Sequence, residues 1–275
     1  MIKELLRRTL SRFRQVPYDW RHAWRVSGHE FASSLAAQAD TEQQPSKPSS
    51  ISPLESFFEA RHEGPGIWKW RHYFDLYHRH LSALRGREKL VIIEIGIYSG
   101  GSLDMWRDYF GDSVQIYGID IEAACLAYQC PGTHVLIGDQ GDPLFWKRVL
   151  ADGSLPAPDI VIDDGGHTPE QQRTTMEALL PVLKPGGVYI CEDIHGADNP
   201  FTAFVSGLAD QLNACQGMSA DLQDQDRRLV VPANATQALV HSLHLYPYVV
   251  VVERNDAPIV ELVCPKRGSR WEPFL

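Results

Sequence analysis

Beyond about residue 54 the chain alternates two kinds of segment. Stretches at about 54–85, 101–111, 142–152, 168–184 and 200–216 read as helices. Between them lie short apolar, β-branched runs: VIIEIG (91–96), VQIYGID (114–120), HVLIGD (134–139), DIVIDDG (159–165) and GVYICED (187–193). Runs this short and this apolar suit strands covered on both faces, so the alternation predicts an α/β fold with a doubly wound, mostly parallel, Rossmann-like sheet. SLHLYPYVVVVER (242–254) and PIVELVCP (258–265) read as two further strands joined by NDA, an antiparallel C-terminal pair.

The N-terminal part follows another pattern. Ile2, Leu5, Leu6, Leu10 and Phe13 recur near helical spacing, and residues 1–30 hold seven basic side chains against three acidic ones. This predicts a basic helical appendage over 1–36, docked on its own domain or on a sister subunit in a homo-oligomer; an anionic membrane surface or an acidic partner helix is the alternative. AQADTEQQPSKPSS (37–50) is polar and proline-rich, which reads as a linker and starts the main domain at 51, running to 275. GMSADLQDQDRRLVVPANA (217–235) is long for a connection and is a candidate lid or oligomer contact.

Composition narrows the partners. At 275 residues with 44% hydrophobic content, the chain can bury one substantial core. A formal net charge of −9 argues against nucleic acid and favours a small-molecule substrate. Five cysteines without a C-x-x-C pair point to neither a disulfide framework nor zinc, but to buried thiols in a reducing cytoplasm. Neither a membrane-spanning run nor a signal peptide is expected.

In doubly wound sheets ligands gather outside the carboxyl ends of the strands. The first strand ends in Glu94, Gly96, Tyr98, Ser99, Gly100 and Ser102, a turn whose glycines let a ligand approach backbone N–H groups. Its G-x-x-x-G-G spacing differs from the G-x-G-x-x-G that seats a pyrophosphate, which counts against a nicotinamide-dependent oxidoreductase. With an acid two places before the first glycine, it suits a cationic, phosphate-free ligand such as S-adenosylmethionine (SAM). Asp120, ending the second strand, is placed for the ribose hydroxyls. Asp139, ending the third, is placed for the adenine amino group or to cap the next helix.

The fourth and fifth strands run into Asp163-Asp164-Gly165-Gly166-His167 and Glu192-Asp193-Ile194-His195. Carboxylates converging at one sheet edge repel unless a cation neutralises them, which predicts Mg²⁺, or else Mn²⁺ or Ca²⁺, on Asp164, Glu192 and Asp193. Asp164 also borders the SAM site. A metal there would acidify an acceptor hydroxyl, and His167 is the candidate base. Asp163 is expected to face the other side of the sheet. For His195 the choice between packing and a role at the site stays open.

With these motifs in place, the sequence resembles the metal-dependent sugar O-methyltransferases of natural-product biosynthesis, the macrolide and rhamnosyl enzymes and the cephalosporin hydroxylase-like group. The resemblance rests on KWRHYFDLYHRHL (69–81), VIIEIGIYSGGSLDMW (91–106), YGIDI (117–121), DDGGH (163–167) and LKPGGVYICEDIHG (183–196). It implies a class I methyltransferase fold, a glycoside acceptor, Asp164, Glu192 and Asp193 as metal ligands, and His167 as base. Gly166 stands where the family often has serine, a change expected to preserve the turn, and HGADNPF (195–201) replaces the run expected after the acids. Catechol-type methylation, or a non-catalytic SAM-binding scaffold for another enzyme, are the alternatives. Trp70, His72 and Tyr73 are either site residues or an aromatic packing stripe.

Overall fold

The computed structural model describes residues 19–36, 51–215, 228–265 and 267–268, in two compact units, one within Met1–Ser50 and the other within Ile51–Leu275. The first contains helix α1 (Asp19–Ala36). The apolar positions at 2–13, the linker and most of the polar stretch at 217–235 lie outside the described residues. Among the described residues no helix is long and apolar enough to cross a membrane.

The second unit is built on a seven-stranded sheet. Its parallel strands are β1 (Val91–Ile95), β2 (Gln115–Asp120), β3 (Thr133–Ile137), β4 (Ile160–Asp163) and β5 (Val188–Cys191). A terminal hairpin, β7 (Val240–Tyr246) and β8 (Val249–Arg254), extends it antiparallel, giving the order β3-β2-β1-β4-β5-β8-β7. The order reverses between β1 and β4, the crevice where doubly wound sheets bind ligands.

Alternating side chains divide the core between the sheet's two faces. Ile92, Ile160, Ile162 and Ile190 pack with α2 (Pro53–Ala60), α3 (Tyr73–Leu81) and α4 (Gly101–Phe110), through Leu54, Tyr77 and Trp106. Ile93, Ile95, Val161 and Tyr189 pack with α5 (Pro143–Ala151), α6 (Pro169–Leu179) and α7 (Pro200–Leu212), through Trp146, Met176 and Phe201. All five residues of β1 and all four of β4 and β5 are buried, which is why these runs carry no polar alternation.

Three expectations need correction. The helix read over 54–85 is two helices, α2 and α3, parted by a loop whose Gly64-Pro65-Gly66 interrupts helical hydrogen bonding. The run 242–254 is itself the hairpin β7–β8, turning at Pro247 and Tyr248, and Tyr248 takes the left-handed conformation (φ 65°) that the turn needs. β9 (Glu261–Pro265) instead pairs with β6 (Arg228–Pro232), while Asn255 of NDA ties the exit of β8 to Gln237 and Ala238 carbonyls at the helix α8 (Ala235–Leu239). The cysteines are also not uniformly interior: Cys125 and Cys191 are buried, whereas Cys130, Cys215 and Cys264 are exposed.

Candidate active site

The carboxyl ends of β1, β2, β3, β4 and β5 open into a cavity of about 930 Å³. The glycine turn after β1 forms one wall. Gly96 holds φ 81°, and a Cβ there would fall 2.0 Å from the Asp164 carbonyl, so only glycine lets this turn pass the β4 end. Tyr98 follows at φ 42°, largely exposed at the cavity mouth.

Asp120 fastens that turn. Its Oδ2 accepts from the Ile97 and Tyr98 amides at 3.0 and 3.1 Å, and its Oδ1 from the Glu122 amide at 2.9 Å. Glu94 is fully buried below the turn, accepts from Ser102 Oγ at 2.9 Å, and does not line the cavity; nor does Gly100. Burial pushes Glu94 up to about 7, against Lys69 and Ser102, which pull it down. Of the residues assigned to the cofactor, Gly96, Tyr98, Ser99, Ser102, Asp120, Asp139 and Asp164 do line the cavity. Asp139 accepts from the Gly141 amide at 2.7 Å, and the cap of α5 is Asp142 rather than Asp139.

Beside that turn Asp164, Glu192 and Asp193 line the same cavity, as the adjacency of β4 and β5 requires, but the side chains whose donor atoms meet are Asp164, His167 and Asp193, and Glu192 of the expected ligand set is turned to Lys69 and Tyr77 instead. Each is held differently. Lys69, from the loop before α3, puts its buried ammonium 2.7 Å from Asp164 Oδ2 and 2.9 Å from Glu192 Oε2. Tyr77 Oη donates to Glu192 Oε1 at 2.5 Å. Asp193 Oδ1 accepts from Tyr73 Oη at 2.7 Å and Trp70 Nε1 at 3.0 Å. Burial opposes the Lys69 charge, but Asp164 and Glu192 outweigh it and hold the amine protonated. Burial pushes Glu192 up to about 8, with Lys69 drawing it back and Asp164 adding to the rise.

His167 and Asp193 share a left-handed backbone, φ 56° and 54°, that non-glycine residues seldom adopt without a structural demand. His167 Nε2 lies 3.7 Å from Asp193 Oδ2. Asp164, His167 and Asp193 each present one donor atom within 4.8 Å of the others. His195 Nε2 lies 3.9 Å from Asp193 Oδ1, and its ring packs 4.7 Å from Tyr248. The β7–β8 turn thus closes this end: Ile194 N donates to Tyr248 O at 2.9 Å, and His72 Nε2 lies 3.0 Å from Pro247 O.

Asp163 faces away, buried against Gln140 Nε2 at 2.8 Å and Tyr189 Oη at 3.1 Å, where burial pushes it up to about 7. Gln140 is a residue that motif reading missed: its Oε1 accepts from the Gly166 amide at 2.6 Å, so it pins the D-G-G-H turn from the β3 side. At Gly166 a Cβ would fall 2.3 Å from the end of the Gln171 side chain that completes the cap of α6, so serine there would ask that flexible side chain to shift. Lys69 was also missed, although it opens the KWRHYF segment. A lone lysine at a loop end carries no spacing signal, and only the fold delivers it to the acids.

The geometry can therefore seat an elongated cationic ligand along the glycine turn and present carboxylates and one imidazole beside its far end. No family model matches the chain. It is 34% identical over 209 residues to 8-demethyl-8-alpha-L-rhamnosyl tetracenomycin-C 2'-O-methyltransferase of Streptomyces olivaceus, covering 71% of this chain and 53% of that protein. It is 32% identical over 245 residues to mycinamicin VI 2''-O-methyltransferase of Micromonospora griseorubida, covering 81% of this chain and 58% of that one. The chain thus spans about half the length of the curated relatives it matches. Among solved structures, the MycE methyltransferase from the mycinamycin biosynthetic pathway in complex with Mg and SAH aligns at a TM-score of 0.58 and 28% identity, over 80% of this chain and 59% of that one. By sequence and by fold, the chain is a relative of the natural-product sugar O-methyltransferases, built on the Rossmann-like fold of class I methyltransferases.

Proposed function

We propose that residues 51–275 form a SAM-dependent O-methyltransferase domain acting on a sugar hydroxyl of a glycoside. The observation that carries this reading is the single cavity shared by the glycine turn at Gly96 and the Asp164, His167 and Asp193 side chains. Asp120, Asp139 and Ser102, which line the cavity beside the turn, would hold SAM, whose sulfonium supplies the methyl group.

Asp164 and Asp193, whose donor atoms meet in the cavity, would supply the oxygen ligands that suit a hard divalent cation, Mg²⁺ first, and Glu192 would join them on giving up its contact with Lys69. Such an ion would supply Lewis acidity toward the acceptor oxygen and lower its pKa. Asp164 and Asp193 are its nearest holders. Glu192 is the third acid, shared with Lys69 and Tyr77.

His167 takes the proton from the acceptor hydroxyl. The oxygen then forms its bond to the methyl carbon as the carbon–sulfur bond breaks, the electron pair returning to sulfur to give S-adenosylhomocysteine. Trp70 and Tyr73 keep Asp193 turned toward His167, so that an imidazolium formed there has a carboxylate partner.

Calorimetric titration with SAM, with and without Mg²⁺, tests the assignment on the wild type and Asp164→Asn. SAM binding with a Mg²⁺ isotherm lost in the variant is the expected result. Absence of SAM binding under every metal condition overturns the reading.

A further inference from the structure

A second cluster of metal-type donors lies beyond the far end of α3 from the acids. His80, in the last turn of α3, His244 of β7 and Glu253 of β8 each bring one donor atom within 4.8 Å of the others. His80 is almost wholly buried, with Nδ1 2.7 Å from Glu253 Oε1. His244 Nε2 lies 3.8 Å from Glu253 Oε2, and the two imidazole rings are 4.6 Å apart. We propose that His80, His244 and Glu253 form a zinc site separate from the catalytic cavity.

The donor chemistry selects the ion. Two imidazoles and one carboxylate form a borderline set that Zn²⁺ prefers, whereas Mg²⁺ prefers oxygen alone. The outer contacts are those a metal site uses. A ligating histidine normally engages its other ring nitrogen to fix tautomer and orientation. Here His80 Nε2 meets Tyr246 Oη at 2.8 Å, leaving Nδ1 toward Glu253. Ser242 Oγ donates to Glu253 Oε2 at 2.9 Å and lies 3.0 Å from His244 Nε2, the nitrogen facing Glu253, so in the metal-free chain its hydroxyl satisfies the two donors that zinc would take over.

Access is one-sided. The His80 side chain is 3% exposed, while those of His244 and Glu253 are 37% and 29% exposed, an opening through which the ion enters and a water completes four-coordination. The strand pattern also singles out Glu253, a carboxylate at the end of the VVVV run of β8 on the side covered by α3. A zinc ion there ties α3 to the β7–β8 hairpin, the two elements that bring Tyr73, Tyr77 and Tyr248 to the catalytic acids.

The test titrates Zn²⁺ into the EDTA-stripped full-length chain carrying Asp164→Asn and Asp193→Asn, so that the catalytic acids cannot supply the signal and the result does not depend on the methyltransferase reading. One zinc per chain is expected, with a Co²⁺ visible spectrum of four-coordinate intensity. His244→Gln should abolish both. Glu253→Gln serves as the second ligand variant, and metal-free thermal melts establish that each variant is folded. No zinc equivalent in the double-variant chain, or one unchanged by both His244→Gln and Glu253→Gln, overturns the proposal.

Discussion

Lys69 Nζ stands 2.7 Å from Asp164 Oδ2, and the same ammonium reaches Glu192 Oε2 at 2.9 Å, so a side chain from the loop before α3 carries part of the counter-charge for the acid cluster. Repulsion among carboxylates at this edge does demand a cation, and the protein supplies one of its own. Lys69→Met removes it and leaves two acids with little exposure unpaired, at about 3–5 kcal/mol of metal-free stability. Urea unfolding in EDTA should show that loss, and added Mg²⁺ should recover more stability in the variant than in the wild type.

The proposed role of His167 as base rests on its place in the cavity, 3.7 Å from Asp193 on a left-handed turn. His167→Asn should lower turnover of SAM with a glycoside acceptor by about 10²- to 10⁴-fold while leaving the calorimetric SAM affinity unchanged. Equal loss of SAM affinity would assign the side chain to cofactor binding instead.

Asp163 gives the pH dependence a defined sign. Burial raises its carboxyl from 3.8 to about 7 in the folded chain, so the folded state holds the proton more tightly than the unfolded state. Its contribution to stability is full below about pH 4, falls as pH rises toward 7, and is level above that. Asp163→Asn keeps the shape and removes the titration. Chemical denaturation at pH 4.5 and pH 8 should show the variant gaining on the wild type by up to ~3 kcal/mol at the higher pH.

Trp70 is half exposed in the cavity wall, with its ring 5.6 Å from Tyr248 and its Nε1 on Asp193. For the glycoside acceptor proposed above, this exposed ring pair beside the acids would serve as a platform. Trp70→Phe should cost only the Asp193 hydrogen bond, whereas Trp70→Ala should raise the acceptor KM about tenfold at unchanged SAM affinity. Steady-state kinetics with both substrates varied separates the two effects.

Much of this was legible because period and position carry it. β1 to β5 fall where short apolar runs occur, since strands buried on both faces can be little else, and the acids at their ends follow from parallel geometry. The break in the helix over 54–85 was legible in Gly64-Pro65-Gly66, a turn signal that reading by apolar period alone passes over. The hairpin was misplaced because NDA looks like a turn, while Pro247-Tyr248 needs a left-handed tyrosine that propensity disfavours. Lys69, Tyr77 and Gln140 reach the site only through tertiary packing.

The closure of the acid site by Pro247 and Tyr248 also sets an order of events during synthesis. The glycine turn and both acidic strand ends leave the ribosome well before the β7–β8 turn does, so a growing chain can assemble its cofactor wall while the opposite end still lacks the carbonyls that meet His72 and Ile194. A nascent fragment halted before β7 would therefore carry both acidic strand ends without that closure.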